Sequence, residues 1–284
     1  MHIRFDHLTF AYPAETSGRR NALHDICLEF DTQRITGICG VTGSGKSTFI
    51  RQMNGILKPS AGRALIDGED IHQSRAALRR TRQRIGMTFQ CPERQFWGQT
   101  VWEELAYTLE KHRVPAREID ARVHAACQLL HFDLHALRTR SPFSLSRGEQ
   151  RTLGIAVILT LQPELLVLDE ATAGMDRSNA SQLLALLQTL HRTHTHQVVF
   201  VSHDLDLLLT WAQYIIVLHR GEILLAGPVE QILQASQTLR DSGIRLPAVF
   251  RTLGLLREKC PQLKMNVNSL DEAVKEVSAC FPIK

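Results

Sequence analysis

The run Gly40-Val41-Thr42-Gly43-Ser44-Gly45-Lys46-Ser47-Thr48 constrains this chain more than any other segment. It fits G-x-x-x-x-G-K-[ST], a loop that wraps phosphate. An apolar, β-branched stretch, Ile35 to Cys39, precedes it and predicts a buried strand. Phe49, Ile50, Met53 and Ile56 follow at a spacing that predicts one face of a helix. The motif needs that strand–loop–helix setting. Gly40, Gly43 and Gly45 let backbone N–H groups converge on phosphate oxygens without a Cβ in the way. The helix N-terminus adds partial positive charge. Lys46 can reach the outer phosphates, the Ser47 hydroxyl can ligate Mg²⁺, and Thr42, Ser44 and Thr48 complete the candidate cradle.

Two further segments extend the pattern. Leu165-Leu166-Val167-Leu168 ends in Asp169-Glu170. A run apolar at every position suits a strand covered on both faces of a parallel sheet. Carboxylates at its C-terminal end then lie at the edge where α/β proteins bind ligands. Alone they would be solvated strand-end acids; beside a phosphate loop, Asp169 can hold Mg²⁺ and Glu170 can act as general base on water. Leu145-Ser146-Arg147-Gly148-Glu149-Gln150 reads first as a helix start, with Ser146 as N-cap and Glu149 three residues on. An uncovered helix N-terminus of that kind also suits an anion.

In order along the chain, these pieces resemble the ATP-binding subunits of ABC transporters. Tyr12 matches the aromatic that stacks on adenine, residues 40–48 the Walker A loop, and Gln90 the Q-loop glutamine after the strand-like Ile85 to Phe89. Leu145 to Glu149 match the L-S-G-G-Q signature, Leu165 to Glu170 Walker B, Ala173-Gly174-Met175-Asp176 the D-loop, and His203 the switch histidine after Val198 to Ser202. Within that family the chain is most similar to energy-coupling-factor transporter ATPases. Phe89-Gln90-Cys91-Pro92-Glu93-Arg94-Gln95-Phe96 resembles F-Q-x-P-E-x-Q-L/F, and Thr100-Val101-Trp102-Glu103-Glu104-Leu105-Ala106 resembles T-V-x-E-D-V-A. Departures are Arg147 for the first signature glycine and Glu149 for its glutamine.

The resemblance implies a RecA-like α/β P-loop core with an antiparallel β subdomain and an inserted helical subdomain at about residues 95–158. The ATP-binding domain then covers residues 1–227, and 228–284 form a C-terminal extension that packs subunit against subunit. It also implies ATP and Mg²⁺ as ligands. Asp169, Ser47 and Gln90 would hold the metal, Glu170 would activate water, and Gln90 and His203 would sense the γ-phosphate. Ser146 and Gly148 would cover ATP bound on the loop of a second ATPase subunit, identical or paralogous. The implied partners are a transmembrane coupling subunit and, through it, a substrate-binding membrane subunit. The implied task is uptake of a vitamin or transition-metal ion from a peripheral position on the cytoplasmic face of the membrane. The alternatives are another ABC importer class, a soluble ABC ATPase acting on nucleic acid or ribosomes, or a regulatory subunit without turnover.

Composition agrees. The chain has 284 residues, room for one main domain plus additions, and its formal charge of +4 does not argue for nucleic acid. The run Arg75, Arg79, Arg80, Arg82, Arg84 reads as a solvated helix face, with anionic lipid or an acidic partner as the alternative. No segment has the ~20 apolar residues a membrane span needs. No signal peptide is visible; Met1 to Asp6 alternate like a strand. The six cysteines show no C-x-x-C and no metal spacing, which fits a reduced cytosolic protein. Cys39 reads as a buried small hydrophobe rather than a redox switch. His191, His194 and His196 read as a polar connection, not a metal site. In the tail, Leu246 to Leu256 and Leu270 to Val277 predict helices, and Gly227-Pro228 is expected to close the core.

Overall fold

The computed structural model describes residues 1–13, 20–89, 96–175, 177–193, 197–245, 248–257, 259–263 and 270–281. Its strands are β1 (His2–Tyr12), β2 (Arg20–Asp31), β3 (Thr36–Cys39), β4 (Ala61–Ile66), β5 (Glu69–Asp70), β6 (Ile85–Thr88), β7 (Leu165–Asp169), β8 (Gln197–Val201), β9 (Tyr214–His219) and β10 (Glu222–Pro228). Its helices are α1 (Lys46–Met53), α2 (Arg75–Arg84), α3 (Val101–Lys111), α4 (Ala116–Leu129), α5 (Leu134–Leu137), α6 (Arg147–Leu159), α7 (Arg177–Thr193), α8 (Leu205–Trp211), α9 (Val229–Gln234), α10 (Ser236–Asp241), α11 (Ala248–Arg257) and α12 (Leu270–Cys280). None of the described helices is long and apolar enough to cross a membrane.

The strands form two sheets. The antiparallel sheet runs β2-β1-β4-β5, and the second runs β10-β9-β3-β8-β7-β6. In the second, β6, β7, β8, β3 and β9 are mutually parallel and β10 closes the edge antiparallel to β9. The side-chain period of two splits its apolar residues between two faces. Leu165, Val167, Val199, Val201, Ile216 and Leu218 pack with Phe5 of β1 and Phe49 of α1. Leu166, Leu168, Val198, Phe200, Ile215 and Val217 pack with the helices, including Leu105 of α3 and Leu153 of α6. Burial on both faces is why Leu165 to Leu168 are apolar at every position.

Several boundaries differ from the sequence expectation. Ile56 lies beyond α1 and is exposed, because the helix ends at Met53 and the chain turns at Gly55. α6 begins at Arg147 with Ser146 as its N-cap, as expected, whereas His191 belongs to the last turn of α7. His194 and His196 lie outside the described residues. Apolar packing continues past Gly227-Pro228. Short helices α9 and α10 follow, and Ile232, Leu233, Leu239, Ile244, Leu253, Leu263 and Ala273 join the helix-side cluster. The arginine run is not a purely solvated face either. Arg84 pairs with Glu164 (2.7 Å) and Asp67 (2.6 Å), Arg80 bonds Glu69, and Arg82 donates to the Gly55 carbonyl (2.8 Å). The arginines therefore tie α2 to both sheets' edges.

Candidate active site

β3 delivers the phosphate-binding loop to the carboxyl edge of the parallel sheet. Gly45 sits at the N-cap of α1 with φ +103°, and a Cβ there would lie 2.7 Å from the Ala22 carbonyl oxygen. Only glycine meets both demands. The loop is tied down by Ser44 N–H to Val41 O (3.0 Å) and by Gly221 N–H to Ser44 O (3.0 Å). Lys46 Nζ donates to the loop carbonyls of Gly40 (2.8 Å) and Val41 (3.2 Å). Burial lowers its pKa, opposed by the nearby Glu170, Cys39 and Asp169. Among the described residues, the buried Ser44 Oγ has no hydrogen-bond partner. A buried orphan hydroxyl beside a lysine is the kind of group a phosphate oxygen satisfies.

β7 ends alongside. Asp169 is 3% exposed; burial raises its carboxyl above the ordinary value, while a hydrogen bond from Ser47 pulls the other way. A hydroxyl joined to a buried carboxylate is a hard-oxygen donor set, which fits a cation of the Mg²⁺ class. Glu170 follows in the left-handed region at φ +48°, where a non-glycine residue is uncommon. Its N–H bonds Val201 O (3.2 Å) and its carbonyl accepts from Ala173 N–H (2.9 Å), which fixes the turn. The carboxylate thereby faces His203, whose Nδ1 lies 3.6 Å from Glu170 Oε1. Strain of this kind costs of order 1–3 kcal/mol and tends to persist at functional sites.

Tyr12 ends β1, 40% exposed, with its hydroxyl 3.1 Å from Thr48 Oγ1. Ser146 caps α6 in a full capping box: its Oγ accepts from Glu149 N–H (3.3 Å), and the Glu149 carboxylate accepts from Ser146 N–H (2.8 Å). The Ser146 and Glu149 groups are thus bonded to each other within α6. Nothing lies within 4 Å of where a Cβ on Gly148 would be, so this end of α6 faces open space. Gln90 and Asp176 lie outside the described residues. Cys39 is buried, and burial pushes its thiol up to about 12, which fits the small hydrophobe expected there.

The structure adds contacts the sequence did not show. Arg151 of α6 donates to the Ala171 carbonyl (2.8 Å), linking the signature helix to the turn after Glu170. Glu104 is buried and accepts from the N–H groups of Trp97 and Gly98 (2.7 Å each), which anchors the chain that follows residue 95. Neither contact has a linear spacing that would announce it.

A family profile described as ABC transporter matches residues 23–173. The energy-coupling factor transporter ATP-binding protein EcfA2 of Symbiobacterium thermophilum is 36% identical over 277 residues, covering 98% of this chain and 96% of that protein. The protein of the same name from Clostridium tetani is 32% identical over 281 residues, covering 99% and 98%. Among solved structures, cbiO1 from Clostridium perfringens, part of the ABC transporter complex cbiONQ, superposes with a TM-score of 0.74 at 28% identity, covering 90% of this chain and 98% of that one. The ATP-binding cassette MJ0796, a dimer with ADP and Pi, has a TM-score of 0.71 at 24% identity over 80% of this chain and 98% of its own, a likeness of fold. A phosphate loop, a buried lysine and paired strand-end acids on one sheet edge agree with these matches. The chain belongs to the ABC transporter family, among the energy-coupling factor transporter ATP-binding proteins, and is a nucleotide-binding ATPase.

Proposed function

We propose that the chain is the motor subunit of an energy-coupling-factor importer, and that the solute is a vitamin or a transition-metal ion. The observation that carries the catalytic part is the convergence of Lys46, the Ser47–Asp169 pair and the Glu170–His203 pair on one sheet edge. Tyr12 stacks on the adenine. Lys46 leaves the Gly40 and Val41 carbonyls for the β- and γ-phosphate oxygens, with backbone N–H groups of residues 42–48 around them. Mg²⁺, held by Ser47, Asp169 and Gln90, would neutralise charge building on the phosphates. Glu170 takes a proton from the attacking water, and His203 orients by a hydrogen bond to the γ-phosphate.

The open N-terminus of α6 completes a site on another chain. Ser146 and Gly148 face the γ-phosphate bound on a second ATPase subunit, a copy or a paralogue, and ATP favours the closed pair because only ATP spans the two surfaces. A membrane partner docks beside the helical region. Supporting this, Trp97 is 82% exposed and Phe143 62%, with the Phe143 ring in edge contact with Phe96 (6.2 Å). Exposed aromatics clustered this way mark interaction sites. The subunit sits peripherally at the cytoplasmic face. Residues 1–227 form the ATP-binding domain and 228–284 a packing extension; the exposed Leu255, Val274 and Phe281 suit that packing. A nucleic-acid role is disfavoured because Arg80, Arg82 and Arg84 are engaged within the chain.

The test is co-expression with a transmembrane coupling subunit and a substrate-binding membrane subunit, followed by detergent purification and phosphate release. A stable complex with ATP hydrolysis, and ATP-dependent solute uptake after reconstitution, is expected. A chain that hydrolyses ATP alone, binds no membrane subunit and is stimulated by nucleic acid would refute the importer.

A further inference from the structure

The solvent face of the antiparallel sheet carries a second cluster of metal-ligating side chains, none of them a phosphate-loop residue. His7 of β1 and Asp25 and Cys27 of β2 are all exposed, and their ligand atoms lie within 4.8 Å of one another. His7 Nδ1 is 2.8 Å from Asp25 Oδ1 and 3.3 Å from Cys27 Sγ, and Cys27 Sγ is 4.0 Å from Asp25 Oδ1.

Two β-bulges build this triangle. Between the Phe5–Leu28 and Leu8–Ile26 pairs β1 has one extra residue, and between Leu8–Ile26 and Phe10–Leu23 the extra residue is in β2. The alternation therefore slips once on each strand, turning His7 outward beside Asp6 and Asp25 outward beside His24. His7 (φ +49°) and Asp25 (φ +46°) both take up the left-handed conformation. Gly62 on the neighbouring β4 accommodates the first bulge: a Cβ there would lie 2.1 Å from the His7 carbonyl oxygen.

The geometry distinguishes a ligand set from a nucleophile triad. In a triad the acid and the nucleophile bond opposite nitrogens of the imidazole. Here both face Nδ1. A nitrogen, an oxygen and a sulfur ligand atom therefore lie side by side. Bonds of about 2.0–2.1 Å to N and O and 2.3 Å to S place the ligand atoms of a tetrahedral zinc centre about 3.3–3.6 Å apart. The observed triangle needs adjustments of about half an ångström per edge to match that spacing. Its outward side leaves the fourth position to water.

We propose that His7, Asp25 and Cys27 form a binding site for a borderline-soft divalent cation of the zinc class, clipping β1 to β2. The mixed N/O/S donor set selects zinc over Mg²⁺ or Ca²⁺, which take oxygen ligands. Binding to the folded chain alone would raise its melting temperature with metal concentration.

The experiment uses the full, metal-stripped chain, Zn²⁺ alone in equilibrium dialysis, and Co²⁺ as a spectroscopic probe. One equivalent of Zn²⁺ is expected at roughly micromolar free metal, with a thiolate-to-cobalt charge-transfer band. Cys27→Ser should weaken zinc by more than about tenfold and abolish the band. Asp25→Asn and His7→Asn, which tolerate the left-handed backbone, should weaken zinc likewise. ATP binding unchanged in all three shows that they fold. Zinc affinity equal in wild type and Cys27→Ser, or wild-type protein without a cobalt–thiolate band, would overturn the site.

Discussion

At the scale of single residues, the site is defined by what each group does at the sheet edge. Glu170 is held in a strained turn facing His203, the place where a general base would meet water. Glu170→Gln is expected to keep ATP binding and lose phosphate release by about 10²–10⁴-fold, the usual range for a general base; near-normal release would reduce Glu170 to a strand-end acid. Lys46→Ala should weaken ATP far more than adenosine, because only ATP presents the β- and γ-phosphates. Parallel titrations of both ligands check this, and equal losses would indicate misfolding. The placement of Lys46 and Glu170 on one sheet edge was legible, since the phosphate loop and the strand-end acids are each an unbroken run beside an apolar strand. Arg151 and the left-handed Glu170 were not, because a contact across 20 residues and a backbone angle leave no periodic trace. The zinc-class cluster was missed for the same reason: its ligands come from two strands, and bulges bring them together.

At the scale of elements, α6 couples folding to function. Its capping box uses Glu149, whose carboxyl is held below its ordinary 4.5 by the Ser146 hydroxyl first and the Ser146 backbone N–H second. A depressed carboxyl contributes stability that is present above its unfolded value and lost as pH falls through the folded value. Glu149 is only partly buried, so solvent screening keeps the contribution small. An NMR titration should find its midpoint below 4.5, and Ser146→Ala should move that midpoint up. The neighbouring Arg147 is exposed on the same end. Arg147→Gly should change the ATPase rate of the assembled complex by less than about tenfold, under about 1.4 kcal/mol in barrier, because the helix N-terminus already supplies donors. A collapse of activity would show that the guanidinium acts directly. Strand elements were read well because Leu165 to Leu168 and Val198 to Val201 are apolar at every position, whereas α9 and α10, at six residues each, are too short to display a period.

At the scale of the whole molecule, the parallel sheet divides the core into two faces, one backed by the antiparallel sheet and one by helices that include the tail. The sequence predicted the first division from strand patterning. It did not show that Ile232, Leu239, Leu253 and Leu263 pack against the helix-side face, because such contacts appear only in three dimensions. The central claim is that the active site is completed by a second ATPase subunit through the open end of α6. Sedimentation velocity in ATP, with Glu170→Gln to block turnover, measures this most directly, using this chain alone or with its paralogous partner. ATP should drive pairing and ADP should not. Adding Gly148→Asp should abolish pairing while each chain still binds ATP, because a carboxylate there repels the facing phosphate. Pairing that is indifferent to nucleotide, or that survives Gly148→Asp, would contradict the shared site.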